Sequence, residues 1–158
     1  SGLVVGVDPS RGMLQVAREK VDAGFVQAVG TALGVRSDSF DFLLMGYALR
    51  HVGDLAAAFR EYHRVVRSGG QVVIMELCMP RSKFGAGLLR RYMNHIVPFV
   101  VRLGTRSRDA ERMMRYYWDT TETSVSPETI LQALRAAGFR DVRRHVQFGI
   151  LTEYCATK

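Results

Sequence analysis

The sequence predicts an α/β fold: a mostly parallel, Rossmann-like sheet with helices packed against it. Short apolar stretches ending in turn residues alternate with amphipathic stretches through the first 80 residues, the pattern of strands buried beneath helices. With 158 residues, 47% of them hydrophobic and 23% charged, the chain can bury a core and fits a single domain over residues 1–158.

Leu3–Val7 is a continuous apolar run ending in Asp8-Pro9-Ser10, after which Met13, Leu14, Ala17 and Val21 recur at helical spacing up to Gly24. A strand, an acidic turn and a helix follow. Phe25–Val29 and Phe40–Met45 read as short strands buried on both faces, the second preceded by the polar turn Arg36-Ser37-Asp38-Ser39. Asp54 is placed to cap a helix carrying Leu55, Phe59, Tyr62, Val65 and Val66, with Ser68-Gly69-Gly70 as its stop and the strand Gln71–Leu77 next. From Phe84 to Trp118 the period changes. Leu88, Leu89, Tyr92, Met93, Ile96 and Val97 form a stripe that Pro98 should kink or end, so a helical insertion is expected over about 84–118. Ser126-Pro127 starts a further helix that buries Ile130, Leu131, Leu134 and Ala137 up to Gly138. Val142, Arg144, Val146 and Phe148 then alternate with polar neighbours, Gly149 turns, and Ile150–Thr157 completes a β-hairpin.

The net charge of +7 resides in one segment. Residues 81–118 carry nine basic residues (Arg81, Lys83, Arg90, Arg91, Arg102, Arg106, Arg108, Arg112 and Arg115) against Asp109 and Glu111, while the charges balance elsewhere. Clustered arginine beside apolar residues suits an anionic membrane surface or an anionic ligand. No nucleic-acid motif is present, so nucleic acid is not an expected partner. Only Cys78 and Cys155 occur, too few for a disulfide framework and without metal-ligand spacing; both are expected to be buried thiols, and no metal site is expected. No stretch is long and apolar enough to be a membrane span and no secretory signal is visible, so a cytoplasmic chain is expected. Because Ser1 stands first and the apolar run begins at Leu3 without a polar lead-in, the run reads as an internal strand exposed by truncation and the chain as a fragment.

In an open α/β sheet, ligands sit at the carboxyl ends of strands, where Asp8 is expected. A carboxylate there can accept hydrogen bonds from the vicinal hydroxyls of a ribose, or it can cap the following helix. The glycine-rich turn that accompanies such a site, because only glycine lets backbone amides approach a cofactor closely, is absent. Serine-hydrolase, Walker A and HExxH motifs are also absent. His63 and His145 read as surface or partly buried histidines rather than ligands.

The segments VVGVDPSRGMLQVAREK, FVQAVGTALGVRSDSFDFLLMGYALRHVGDLAAAFREYHRVVRSGGQVVIMELCMP and SPETILQALRAAGF lie in the order and spacing of class I S-adenosylmethionine-dependent methyltransferases. Over nearly its whole length the chain resembles the ubiquinone/menaquinone biosynthesis C-methyltransferases. The resemblance implies S-adenosylmethionine as cofactor. It implies that Asp8, with Pro9, binds the ribose hydroxyls, that Met13 packs on the adenine, and that Gly30-Thr31-Ala32 holds the adenine edge. Met13 could alternatively fill the core. Thr31 departs from the Asp or Asn usual in the family and leaves a hydroxyl in its place. The resemblance also puts a missing central strand between the strand ending at Asp8 and the strand Phe40–Met45. Two exposed edges would follow, favouring instability or a homo-oligomer.

The segment GYALRHV, Gly46–Val52, follows the fourth strand of the family fold, where cofactor methyl and substrate would meet. Methylation of a ring carbon requires a phenol or quinol to lose a proton while the carbon is aligned with the methyl. Arg50 can stabilise the phenolate without acting as a base, and His51, or a water, can take the proton. Glu76 at the end of the fifth strand can hold a substrate hydroxyl or pair with Arg50. Tyr92, His95, Tyr116, Tyr117 and Trp118 could line a cover over a flat ring and an isoprenoid tail, or simply pack the insertion. The expected activity is methyl transfer to a small or lipophilic acceptor, preferably the carbon of a quinol or phenol ring, with the basic segment at a membrane surface. The competing readings are an O- or N-methyltransferase of another small molecule and a non-catalytic, methyltransferase-like interaction module.

Overall fold

The computed structural model describes residues 2–78, 82–97, 99–100 and 125–158. Among these the elements are β1 (Val5–Asp8), α1 (Arg11–Arg18), β2 (Gly24–Gln27), β3 (Phe40–Gly46), a 3-10 turn Leu49–His51, α2 (Leu55–Val65), β4 (Val66–Leu77), α3 (Lys83–Arg91) running into a π-helical turn Tyr92–Ile96, α4 (Pro127–Ala136), β5 (Arg140–Gln147) and β6 (Leu151–Thr157).

Each helix starts where a side-chain oxygen meets an amide that the helix cannot satisfy itself. Ser10 accepts from Met13 N at 3.3 Å, Asp54 from Ala57 N at 2.9 Å, Ser82 from Gly85 N at 3.3 Å and Ser126 from Thr129 N at 3.2 Å. Helix α4 ends on Gly138 at φ +98°, with Phe139 N donating to Leu134 O and Gly138 N to Arg135 O, the paired bonds of a Schellman turn.

The strands form two sheets. β1 and β2 pair in parallel, and the second sheet has the order β3-β4-β6-β5, parallel between β3 and β4 and antiparallel on either side of β6. β1 and β3 do not pair with each other, so among the described residues each keeps one unpaired edge. The interruption lies where the resemblance implies that the sheet lacks its central strand.

Helices α2 and α4 supply much of the core, which contains Phe59, Tyr62, Val65, Ile130 and Leu134 together with Val72 and Ile74 of β4 and Tyr154 of β6. The expectation that β2 and β3 are buried on both faces is not met. Successive side chains alternate across a strand. Leu43 and Met45 pack against the core, while Phe42 and Leu44 on the opposite face are 51% and 56% exposed. Residues Gly24 and Gln27 at the ends of β2 are exposed as well.

Three boundaries differ from the sequence reading. Helix α1 ends at Arg18 rather than near Gly24, because Leu14 is its buried residue and Val21 remains exposed. Helix α2 ends at Val65, and the next residue, Val66, already pairs with Phe40. Gly69-Gly70 therefore does not stop the helix. It serves the irregularity between Phe40 and Phe42, where a Cβ on Gly70 would lie 2.9 Å from the carbonyl oxygens of Asp41 and Arg67. The helix after Ser82 does not end before the proline either, since residues 99 and 100 are helical; Pro98 and Tyr117 lie outside the described residues. Cys78 and Cys155 are partly exposed rather than buried.

Candidate active site

Asp8 ends β1 with its Oδ1 accepting from Ser10 N at 2.7 Å, while Ser10 caps α1. Ser10 and not Asp8 caps α1, so the capping reading of Asp8 is not met; its turn with Ser10 N orients a partly exposed carboxylate at a strand end. Pro9 is exposed, and its carbonyl accepts from Gln27 Nε2 at 3.0 Å, which ties the turn to β2. Met13 is 61% exposed, so core filling does not explain it; Leu14 occupies the buried position. An exposed methionine one turn from a carboxylate suits a flat apolar ring beside a ribose.

The segment after β2 is pinned to α2. Gly30 lies against Tyr62, and a Cβ there would come within 3.0 Å of the phenol oxygen. Leu33 N donates to Glu61 Oε1 at 2.8 Å, and Arg64 donates to Glu61 at 2.7 Å and to Val35 O at 2.8 Å. The hydrogen bond from Arg64 holds the Glu61 carboxyl below its usual range, against an opposing effect of burial. Thr31 and Ala32 are left exposed on this anchored loop. Sequence reasoning missed Glu61 and Arg64 as the residues that fix the loop. Their spacing of three on one helix face was the available signal.

After β3 the chain turns sharply. Tyr47 is left-handed at φ +57°, an uncommon conformation for a bulky residue, and its N–H donates to Met75 O at 2.8 Å. Buried Leu49 anchors the 3-10 turn that follows. Arg50 is turned inward, donating from Nη1 to Tyr47 O and pairing with Glu76 Oε1 at 3.4 Å. Their side chains are 9% and 6% exposed. Glu76 Oε1 also accepts from Leu77 N at 3.1 Å, whereas Glu76 Oε2 is buried and accepts no hydrogen bond among the described residues.

Arg50, Glu76 and the Tyr47 carbonyl thus meet at the carboxyl ends of β3 and β4, directly after Gly46. A Cβ on Gly46 would make only ordinary contact with Met75, so packing in this structure does not demand that glycine. His51 is exposed at the end of the 3-10 turn. Tyr92 and His95 are exposed on the π turn of the insertion. Tyr116 and Trp118, like Tyr117, fall outside the described residues. Chemically, the arrangement offers a partly exposed carboxylate at a strand end, an exposed apolar side chain on the helix that follows it, and a buried guanidinium–carboxylate pair.

The model of the ubiE/COQ5 methyltransferase family matches residues 1–158. Two curated relatives are a demethylmenaquinone methyltransferase of Roseiflexus castenholzii and a ubiquinone/menaquinone biosynthesis C-methyltransferase of Campylobacter jejuni. The first is 35% identical over 89% of this chain and 59% of its own, the second 30% identical over 98% of this chain and 66% of its own. The chain therefore spans about six-tenths of the length of these relatives. Among solved structures, an S-adenosylmethionine-dependent methyltransferase from Mesorhizobium loti superposes with a TM-score of 0.64 at 19% identity, covering 100% of this chain and 81% of that one. A Haemonchus contortus phosphoethanolamine N-methyltransferase in complex with S-adenosyl-L-methionine superposes with a TM-score of 0.63 at 14% identity, covering 98% of this chain and 43% of that one. These two likenesses establish the Rossmann-like methyltransferase fold. By its match over the full length, this chain belongs to the ubiE/COQ5 methyltransferase family.

Proposed function

We propose that this chain provides the ribose-binding and acceptor-binding portions of a site for methyl transfer from S-adenosylmethionine to a ring carbon of a quinol-type acceptor. The observation that carries the reading is the buried Arg50–Glu76 pair, tied through Arg50 to the carbonyl of the left-handed Tyr47, at the strand ends where this fold binds ligands. When bound, S-adenosylmethionine supplies an electrophilic methyl group. Asp8 accepts from its ribose hydroxyls, Met13 covers the adenine, and the loop Gly30–Ala32 borders the adenine edge. Arg50 stabilises negative charge on the acceptor oxygen as its proton leaves, a role suited to a guanidinium that stays protonated. His51 at the surface, or water, receives that proton; as the methyl group passes from sulfur to the ring carbon, the hydrogen on that carbon leaves as a proton, which restores the aromatic ring and the hydroxyl. Tyr92 and His95 belong to the cover over the ring and its tail.

The insertion extends this reading to a membrane surface. Phe84 and Leu88 are 81% and 62% exposed on a helix whose segment, 81–118, carries nine basic and two acidic residues. The protein should sediment with anionic vesicles at low salt and lose much of that binding at high salt; equal binding to neutral vesicles at both would remove the electrostatic part of the reading.

Calorimetric titration of the purified chain with S-adenosylhomocysteine tests the cofactor assignment, and no heat at millimolar ligand would sink it. An Arg50→Met variant that still binds S-adenosylhomocysteine should turn over a demethylated quinol about 100-fold more slowly. Undiminished turnover would remove Arg50 from the mechanism.

A further inference from the structure

Glu76 has one oxygen engaged and one idle. Oε1 takes the hydrogen bonds of Arg50 Nη1 and Leu77 N, while Oε2, in a side chain 6% exposed, receives none among the described residues. A buried carboxylate oxygen without a donor is costly, and burial this complete leaves little compensation from solvent. The cost is relieved by a ligand that donates a hydrogen bond. The pair adjoins the turn after β3, because the Arg50 Nη1 that meets Glu76 also donates to Tyr47 O, and Tyr47 is 38% exposed with a left-handed backbone.

We infer that Glu76 Oε2 is the receptor for a hydroxyl hydrogen of the methyl acceptor, and so selects the reduced, hydroxyl-bearing ring over its oxidised, carbonyl-bearing form. This rests on the quinol reading above and names the residue that enforces it. A quinol places an O–H donor against Oε2. A quinone of the same shape offers only carbonyl oxygens, whose lone pairs face those of the carboxylate. Sites built around a hydrogen bond to a substrate hydroxyl reject analogues lacking it far more strongly than apolar pockets reject a change of size. The same contact aligns the ring, because the hydroxyl is held at the end of β4 while Arg50 reaches the site from the turn after β3.

The test is anaerobic calorimetry with three probes: 1,4-naphthohydroquinone, 1,4-naphthoquinone and 1,4-dimethoxynaphthalene, the last having the reduced ring without a donor. The wild-type chain should bind the hydroquinone about 10- to 100-fold more tightly than either of the others. In Glu76→Gln, nearly the same size but able to donate through its amide, that preference should shrink to within about threefold or invert toward the quinone. Thermal unfolding of the variant, followed by circular dichroism, controls for folding, and Glu76→Asp, which keeps the acceptor chemistry, should retain the order of preference. Equal binding of hydroquinone and quinone by the wild type, or an unchanged preference in Glu76→Gln, overturns the inference. Turnover of a quinol would survive that outcome, whereas failure to bind S-adenosylhomocysteine would count against the methyl-transfer reading itself.

Discussion

Replacing Gly30 with alanine tests how tightly the candidate adenine loop is coupled to the core. A Cβ at Gly30 would stand 3.0 Å from Tyr62 Oη, 3.9 Å from Val52 Cγ2 and 4.0 Å from Tyr62 Cζ, so the phenol oxygen is the one obstructing atom. Tyr62 is 2% exposed and cannot swing away; among the described residues its hydroxyl has a long contact to Met45 Sδ at 4.0 Å to hold it. Loop or ring must shift by a few tenths of an ångström. Overpacking of this kind costs about 1–2 kcal/mol. Tyr62→Phe removes the obstructing oxygen and a weak contact, leaving the ring edge at ordinary contact distance, and should itself cost less than about 1 kcal/mol. The double variant should then be more stable than the sum of the single effects by about 1 kcal/mol. Urea denaturation of the four proteins, monitored by circular dichroism, measures that coupling. Additivity within about 0.5 kcal/mol would refute the reasoning and show that Gly30 is free of the core. Titration with S-adenosylhomocysteine in the same series should show Gly30→Ala weakening binding and Tyr62→Phe restoring part of it.

Burial raises the Tyr62 phenol from its ordinary 10 to about 12. The fold favours the neutral phenol, so that stability is fully present below pH 10 and is lost as pH rises through about 12, at most about 3 kcal/mol. Tyr62→Phe should flatten this part of the stability profile, and an unchanged slope between pH 10 and 12 would count against it. Glu61→Ala removes the acceptor of the buried Leu33 N–H and the partner of Arg64, which should cost about 2–3 kcal/mol. Hydrogen exchange is the discriminating measurement: the Leu33 amide should lose protection well before the amides of β4 do. Gly138→Ala would force a side chain into φ +98° with its Cβ 3.1 Å from His63 Nε2, so a loss of about 1–3 kcal/mol in chemical denaturation is expected, and a neutral effect would contradict the strain argument.

Local chemistry was the readable part of this fold. Asp54, with its side-chain bond to Ala57 N, and Ser126-Pro127 start their helices as composition and turn preference predict, because capping involves residues only three apart. Burial was read less well. Phe42 and Leu44 look like core residues in the sequence, and only the packing of helices on one side of β3 exposes them. The apposition of Arg50 and Glu76 could be named beforehand as one option, since Arg50 follows one strand end and Glu76 lies near another, but their mutual burial depends on β3 and β4 pairing in register. Nothing in the sequence around Tyr47 signals its left-handed backbone, a conformation imposed by the turn that joins Gly46 to buried Leu49. The Glu61–Arg64 clamp was hidden for a similar reason: the carbonyl and amide it holds lie about 28 residues away along the chain.

The division of the strands into two sheets sets the mechanics of the proposed site. Asp8 belongs to the pair β1–β2, whereas Arg50 and Glu76 belong to the block built on β3 and β4, and among the described residues no strand ladder spans the two. Among the joints between them, the best defined is the loop clamped by Glu61, Arg64 and Tyr62. A ligand that contacts both Asp8 and Arg50 would therefore act as a cross-link as well as a reactant. At one hundred times its dissociation constant it would add about 2.7 kcal/mol to stability by mass action. Ligand concentration then becomes a determinant of how much of the chain is folded, and the span from Asp8 to Arg50 is set partly by the molecule bridging it.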